Sequence, residues 1–357
     1  MIKFTIIISA ALAWLALAAS QARAAESVDR LVAGAAKEGE LVFVAGAETF
    51  GGRKGFGELG AAFNKKFGLN TRINFAAGPE MNSMAARVIT EVKAGRASTD
   101  FYLGSQSHYA LLHQEDVLEP VAWSATFPWI TKDMEVLPGE SVLVYTSLNG
   151  IIYNSTLIPK DKTPKSYADL IDPRFSPAWA GKMAIPPYVQ WLADLSLLWG
   201  QDKVRDFARK LIPLSGGRLR YSEEERVVSG EFPIMANIGG ALEHMWMWEK
   251  RGAPLVAVTG SSPPITSYFQ LGALKKSAHP NTAKLFVAFM MSKEAQAIIE
   301  KYDGRTTHLV EGTRLAKYLS ANRIKLQAPA DAMAAYVKSE GGEGLKFKEE
   351  LAKMLKQ

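Results

Sequence analysis

The chain has 357 residues, of which 48% are hydrophobic and 22% are charged, and its formal net charge is +6. This is the composition of a globular protein, so a disordered chain and a fibrous repeat are excluded as its main state. The small basic excess does not form long blocks, and we therefore expect no nucleic-acid partner. Cysteine is absent, which excludes disulfides, thiolate metal sites and a cysteine nucleophile.

The first 24 residues show the three-part pattern of a secretory signal peptide. Lys3 gives a positive start, an apolar run extends over residues 4–19, and Ala22 and Ala24 occupy the two positions that frame a cleavage site. The apolar run is slightly short for a membrane-spanning helix, which would be the alternative interpretation. We therefore expect residues 1–24 to be removed and the mature protein to be exported.

The first part of the mature chain alternates between helical and strand patterns. Apolar spacing predicts helices over residues 28–38, 56–67 and 81–92, and strands over residues 41–45, 71–75 and 100–103. Strands that alternate with helices are typical of a parallel sheet covered by helices.

The middle of the chain predicts a second α/β set, and the end predicts further helices. The predicted strands cover residues 142–145, 150–153, 182–185, 232–236, 255–258 and 270–274, and the predicted helices cover residues 191–199, 204–211, 242–250, 280–291 and 293–302. Ser222 with Glu225 three residues later matches a capping box, which predicts a helix over about residues 223–229. The last twenty-odd residues, rich in Lys and Glu, predict a terminal surface helix.

Motifs for catalysis and cofactor binding are weak. Residues 55–60 match G-x-G-x-x-G but do not directly follow a strand, and the glycines of residues 46–51 are followed by Gly52 where a P-loop requires lysine. The five histidines form no H-E-x-x-H motif, and no G-x-S-x-G elbow is present. We expect no cofactor, no resident metal and no enzymatic activity, although distant carboxylates that meet in the fold remain an open alternative.

Polar loops after the predicted strands supply the candidate ligand-binding residues. In open parallel sheets, ligands bind beyond the carboxyl ends of the strands, and helix N-termini there favour an anionic or polar group. Turn formation and helix capping explain the same residue types about as well. The candidates in these loops, with one tyrosine from a later strand, are Gly46, Glu48, Thr49, Gly78, Ser105, Gln106, Tyr188, Gln190, Tyr221, Ser222, Asn237 and Tyr268.

Seven short segments carry a family resemblance. Each segment alone has low specificity, but together, in their order along the chain, they are fairly specific. They are FNKKFG (63–68), AGRASTDFY (94–102), GIIYN (150–154), YADL (167–170) with Asp172-Pro173, GKMA (181–184), SGEFPI (229–234) and AHPNTAK (278–284). In this order they resemble a periplasmic solute-binding protein of a bacterial ABC importer, in the group that includes ferric-iron-, thiamine- and phosphonate-type binding proteins.

The resemblance implies a type II periplasmic-binding-protein fold. Two α/β lobes, each a mostly parallel sheet flanked by helices, would be joined by crossing hinge strands and would close over a solute. Residues 25–146 and 267–330 would form the first lobe, residues 147–266 the second, and residues 331–357 a C-terminal helical tail. A monomer that passes a small-molecule solute to a membrane permease is expected.

The ligand does not follow from the resemblance. Ferric-binding relatives carry two adjacent tyrosines after the strand that follows a Gly-Glu pair. Here Gly230-Glu231 is followed by residues 232–241 without tyrosine, and no two tyrosines are adjacent anywhere in the chain. A ferric site assembled differently, from Glu48, Tyr188, Tyr221 and Tyr268, is the alternative.

We therefore favour a small organic anion as the solute. Backbone N–H groups with Thr49, Ser105, Gln106 and Ser222 would hold its polar end, and Tyr188, Trp191 or Tyr268 would pack against its body. Arg53, Arg218 and Arg220 are candidate charge partners. A solute sensor that signals to a membrane receptor, or an exported enzyme, are the remaining alternatives.

Overall fold

A computed structural model of the protein describes residues 27–356. The predicted signal peptide, residues 1–24, lies outside the described residues. Across residues 27–356, every helix is too short or too polar to cross a membrane.

The order of helices and strands follows the sequence patterns closely. In the first part of the chain the elements are α1 (Val28–Glu38), β1 (Glu40–Ala45), α2 (Gly52–Phe67), β2 (Arg72–Ala77), α3 (Met81–Lys93), β3 (Phe101–Gly104), α4 (Gln106–Gln114), α5 (Trp123–Thr126), β4 (Glu135–Leu137), β5 (Ser141–Leu148) and β6 (Gly150–Asn154). The later elements are β7 (Met183–Ile185), α6 (Gln190–Trp199), α7 (Gln201–Leu211), β8 (Ser215–Arg218), α8 (Glu225–Val228), β9 (Ile234–Ile238), α9 (Ala241–Glu249), β10 (Leu255–Val258), β11 (Thr266–Ala273), α10 (Pro280–Met290), α11 (Lys293–Tyr302), α12 (Arg314–Ala321), α13 (Pro329–Ser339) and α14 (Gly342–Leu355).

The first lobe is built on two adjoining sheets. β1 and β2 are parallel, with Glu40 opposite Arg72, and β3, β11, β5 and β4 form an antiparallel sheet. The two sheets meet where the backbone N–H of Asp100 donates to the carbonyl of Val42 at 2.9 Å. Only β1 and β2 therefore form the parallel ladder that was predicted for the first three strands. β3 pairs with β11, which lies more than 160 residues later, and alternation within β3 carries no information about that partner.

The second lobe contains a five-stranded mixed sheet in the order β10-β6-β9-β7-β8. β9 begins two residues later than the sequence pattern predicts, and all five of its residues are buried. The predicted capping box is wrong, because α8 begins at Glu225 without a side-chain cap and Ser222 has a φ of 114°. The carboxylate of Glu223 instead accepts a hydrogen bond from the backbone N–H of Arg220 at 2.6 Å.

Each lobe has its own aromatic core. Phe43 stacks on Phe101 with 4.3 Å between ring centroids, and Phe286 packs against Phe101 at 5.5 Å, between the sheet and α10 of the first lobe. In the second lobe, Trp191 meets Phe207 edge-to-face at 6.3 Å. The chain leaves the first lobe along β5 and returns along β11, and these two strands pair side by side.

The C-terminal helix pair, α13 and α14, spans the two lobes. Met333 of α13 is buried in a cluster of first-lobe side chains, whereas Phe347 and Leu351 of α14 are buried in the core of the second lobe. The Arg205 guanidinium donates to both carboxylate oxygens of Glu350 at 2.6 and 2.9 Å, which fixes α14 on α7. The predicted helical character is correct, but the prediction of a single surface helix is wrong, since two helices bury apolar side chains here.

Candidate functional site

A cavity of about 1070 Å³ lies between the two lobes. Its first-lobe side is formed by Phe269 and by the end of α11 with the loop that follows it, residues 297–305. Its second-lobe side is formed by the loops after β7, β8 and β9 and by α9. Such a volume is just above the range that is usual for pockets that bind small organic molecules.

Four of the twelve predicted site residues line this cavity. Tyr188 and Gln190 follow β7, and Tyr221 and Ser222 follow β8, all in the second lobe. These residues follow the carboxyl ends of β7 and β8, which are parallel neighbours, so they lie where ligands are expected in such sheets. Trp191 also lines the cavity, although only 1% of it is exposed.

The other eight predicted residues do not line the cavity, and two of them join the first-lobe sheet to its surroundings. The Gln106 side chain donates to the carbonyl of Thr266 at 3.2 Å and accepts from the backbone N–H of Tyr268 at 2.9 Å. Tyr268 is fully buried, and its hydroxyl donates to the carbonyl of Gln327. These contacts give both residues a structural role at the edge of β11.

Four more of the eight belong to the turns after β1 and β2 and to the start of α4. Gly46 and Glu48 are exposed, and Gly78 donates its N–H to the carbonyl of Ala45 at 2.7 Å. The hydroxyl of Ser105 contacts the Nδ1 of His108 at 2.9 Å.

Thr49 is buried in the turn after β1, where its backbone N–H donates to the carbonyl of Gly46 at 2.9 Å. Asn237, the last of the eight, lies behind the cavity wall. Its side chain donates to the hydroxyl of Tyr221 at 2.8 Å and accepts from the hydroxyl of Tyr167 at 2.5 Å. Asn237 therefore orients Tyr221 from behind.

The three candidate arginines do not face the cavity. Arg53 and Arg220 are exposed, and Arg218 donates to the carbonyl of Leu355 at 2.7 Å, where it holds the end of α14.

Aromatic rings form much of the second-lobe wall. The rings of Tyr188 and Tyr221 meet edge-to-face, with centroids 4.9 Å apart and an interplanar angle of 65°. Trp246 of α9 extends this apolar surface, and Phe269 adds to it from the first-lobe side. Burial raises the pKa of Tyr221 far above its usual value, so its phenol stays protonated at neutral pH.

The first-lobe wall contains a hydrogen-bonded acid–base pair. The guanidinium of Arg305 donates to Asp303 at 2.6 and 3.0 Å, and it also lies 4.8 Å from the ring centroid of Tyr145. Although burial alone would lower the pKa of Arg305, Asp303 and Tyr145 raise it, so the arginine stays charged. Sequence patterns missed this pair, because it depends on the turn at Gly304, which has a φ of 77°.

Glu243 is the acidic side chain that the structure leaves without a partner in the second-lobe wall. It lies in the first turn of α9, three residues after the N-cap Gly240, and is 9% exposed. Within residues 27–356, neither of its carboxyl oxygens has a hydrogen-bond partner. Burial raises the pKa of Glu243 to about 7.

Two nearby acids, Asp194 of the cavity wall and Glu224, do have partners. The Nδ1 of His244 lies 3.1 Å from the Oε1 of Glu224. Although burial alone would raise the pKa of Glu224, His244 and the indole N–H of Trp248 lower it to about 2. The side chain of Gln190 donates to Asp194 at 2.7 Å, and burial raises the pKa of Asp194 to about 6.

The alternative ferric site does not assemble from the four residues named for it. Tyr188 and Tyr221 line the cavity, whereas Glu48 is exposed in the turn after β1 and Tyr268 is buried in β11. Over residues 27–356, no three His, Asp or Glu side chains are grouped at metal-binding spacing.

Comparison with protein families gives one matching model, described as bacterial extracellular solute-binding protein, over residues 58–309. A curated protein of Haemophilus influenzae, described as uncharacterized, is 29% identical over 204 residues, which cover 51% of this chain and 55% of that protein. The chain thus spans about half the length of the curated relative that it matches.

Solved structures show the same fold at low identity. The iron-bound HitA of Pseudomonas aeruginosa has a TM-score of 0.65 and 19% identity over 87% of this chain and 99% of its own. A substrate-binding protein of an ABC transporter from Agrobacterium tumefaciens has a TM-score of 0.66 and 18% identity over 90% and 97%. The spermidine/putrescine protein PotD of Streptococcus pneumoniae has a TM-score of 0.62 and 16% identity over 88% and 99%. These similarities confirm the α/β periplasmic-binding-protein fold of type II.

Proposed function

Because this chain belongs to the bacterial extracellular solute-binding protein family, we propose that it captures a small organic solute between its lobes and delivers it to the permease of an ABC importer. The family is one of binding proteins rather than enzymes. The observation that carries the proposal is the interlobe cavity of about 1070 Å³, whose wall combines aromatic rings with a few polar groups.

The charge pattern of the cavity supports a solute with an anionic group. Lys250 and Arg314 line the cavity, together with Arg305, which is already paired with Asp303. The guanidinium of Arg314 lies 4.4 Å from the ring centroid of Trp246. This contact holds Arg314 at the cavity wall. A carboxylate or phosphonate of the solute is expected to lie against these cations, as the sequence analysis favours.

The side chains of the cavity do not favour ferric iron as the solute. A ferric ion prefers several anionic ligands that converge on one point, and over residues 27–356 no three His, Asp or Glu side chains are grouped at metal-binding spacing. The hydroxyl of Tyr221 already accepts a hydrogen bond from Asn237. HitA is iron-bound and PotD is a spermidine/putrescine protein, but each is under 20% identical to this chain, so neither specifies its solute.

Export of the protein completes the proposal. The pattern of residues 1–24 supports a cleaved signal peptide and a periplasmic location, and a monomer is expected to meet the permease. Genes for a permease and an ATPase beside the gene for this protein would support the importer role over a sensor role, whereas a neighbouring receptor gene would favour the sensor.

A thermal-shift screen of residues 25–357 tests the proposal. The screen would contain organic acids, phosphonates, polyamines, thiamine and ferric citrate. A solute at about 100 times its dissociation constant stabilises the folded protein by roughly 2.7 kcal/mol. A shift with an organic anion would support the proposal, whereas a shift with ferric citrate alone would contradict it.

A further inference from the structure

We propose that the solute also carries a protonated amine, and that this ammonium group binds the carboxylate of Glu243. The inference rests on the proposed function, since it identifies a second end of the solute held in the same cavity. Together with the anionic group proposed above, it makes the solute a zwitterion.

Glu243 lacks a hydrogen-bond partner among residues 27–356. Both carboxyl oxygens are buried without a hydrogen bond from any residue of the range 27–356, and the side chain lines the cavity. Buried polar groups are almost always satisfied, so an unsatisfied carboxyl in a binding cavity indicates a ligand that supplies the donors. An ammonium group has three donors and a full positive charge, which suits two free carboxylate oxygens.

The charged groups around Glu243 leave an excess of carboxyl groups. Arg305, in the loop after α11, is already neutralised by Asp303, and His244, on the same helix as Glu243, lies beside Glu224. Three carboxyl groups therefore share one arginine and one histidine. A cationic group of the solute would offset this acidic excess, whereas a second anion there would increase it.

The cavity that contains Glu243 also has an aromatic surface. The faces of Tyr, Trp and Phe attract cations, and Tyr188, Tyr221, Trp246 and Phe269 line the same cavity as Glu243.

The proposed ion pair between the ammonium group and Glu243 makes the affinity for the solute depend on pH. An ammonium group favours the ionised form of Glu243, which burial disfavours in the free protein. Affinity for an amine is therefore expected to rise between about pH 5 and pH 8 as Glu243 loses its proton. Were Glu243 instead a proton donor to an anion, affinity would fall over the same range.

Titration calorimetry with matched solutes tests the inference. The probes are ω-amino carboxylates and ω-amino phosphonates, each paired with the parent acid that lacks the amine. They are measured against the wild-type protein, against Glu243→Gln, which keeps the side-chain shape and removes the charge, and against Glu225→Gln. Glu225 is exposed at the start of α8 in the same lobe, so this variant controls for the loss of one negative charge.

The expected result is that the amino member of a pair binds the wild type about 10- to 100-fold more tightly than its parent. Glu243→Gln should abolish this preference and its pH dependence, while Glu225→Gln should keep both. The melting transition of the free Glu243→Gln protein verifies that it is folded.

Other outcomes separate the inference from the proposed function. If parent acids bind as tightly as their amino analogues and Glu243→Gln is unaffected, the inference is overturned and the proposed function stands. If parent acids bind and their affinity falls as pH rises, Glu243 is a proton donor and the inference is again overturned. If no organic probe binds, both are overturned.

Discussion

The carboxylate of Asp303 accepts two hydrogen bonds from the guanidinium of Arg305, at 2.6 and 3.0 Å. The same carboxylate accepts from the backbone N–H of Phe50 at 3.1 Å and from the hydroxyl of Tyr145 at 2.8 Å. One side chain thus connects the turn after β1, the strand that leads to the second lobe, and the cavity wall.

Replacement of Asp303 by Ala should destabilise the protein by about 2–4 kcal/mol, because it leaves the Arg305 charge without its partner and the buried Tyr145 hydroxyl without its acceptor. Urea denaturation measures the change. Asp206→Ala is the matched control, since Asp206 lies on the surface of α7 with 69% of its side chain exposed. Equal midpoints for Asp303→Ala and Asp206→Ala would contradict the structural role of this carboxylate.

Replacement of Tyr188 by Ala should weaken solute binding about tenfold with little loss of stability. Tyr188 is 40% exposed and contributes a ring to the cavity wall, so its removal takes apolar contact from the solute rather than from the core. Calorimetry with a solute found in the thermal-shift screen measures the affinity. Leu157→Ala removes a side chain of similar exposure, 46%, outside the cavity and should leave affinity unchanged. Unchanged affinity in Tyr188→Ala would remove this ring from the site.

Ionisation of Glu243 should make the free protein less stable as the pH rises. The pKa of Glu243 is raised from 4.5 to about 7, so the folded state holds its proton more tightly than the unfolded state does. Its contribution is therefore fully present below about pH 4.5 and is lost as pH rises through 7, by about 3 kcal/mol.

The Glu243→Gln variant isolates this effect. Gln cannot ionise, so the free energy of unfolding of the variant, relative to that of the wild type, should increase by about 3 kcal/mol between pH 5 and pH 8. Denaturation curves of both proteins at the two pH values give the difference. A constant difference would show that Glu243 does not titrate in this range.

Replacement of Leu351 by Ala should destabilise the protein by about 2–5 kcal/mol. Leu351 is fully buried where α14 packs on the second lobe, and its truncation leaves a cavity there. Lys353→Ala, two residues later on the exposed side of α14, is the control and should change stability by less than about 0.5 kcal/mol. A loss as small as that of the control would mean that α14 is detached in solution.

Local patterns predicted the elements well because their signals are local. The helix that ends at Glu38 stops before Gly39, whose φ is 63°, as a glycine after a helical stripe indicates. The partner of β3 and the docking of α14 depend on residues far away in the chain, and neither leaves a trace in the periodicity of the segment itself. At Ser222 a local pattern failed. Ser222 and Glu225 have the spacing of a capping box, but no cap forms, because the backbone at Ser222 adopts a positive φ.

The candidate site was predictable only where it follows parallel strands. Tyr188, Gln190, Tyr221 and Ser222 come from the loops after β7 and β8, which the strand pattern located. Glu243 and Arg305 face the cavity from a helix and from a loop at the end of a helix, and the sequence shows there only a first-turn acid and an arginine after a glycine. Their importance arises from burial and from missing or shared partners, which exist only in the folded protein.

The C-terminal helix pair restricts the geometry of any motion between the lobes. Two residues, Glu340 and Gly341, separate α13 on the first lobe from α14 on the second. The three residue steps from Ser339 to Gly342 span at most about 10–11 Å, so the lobe surfaces cannot separate further at this point without unwinding a helix. Asn149, the single residue between β5 and β6, is a second short link between the lobes. Because both links are short, we expect the lobes to rotate about the line that joins them rather than to move straight apart.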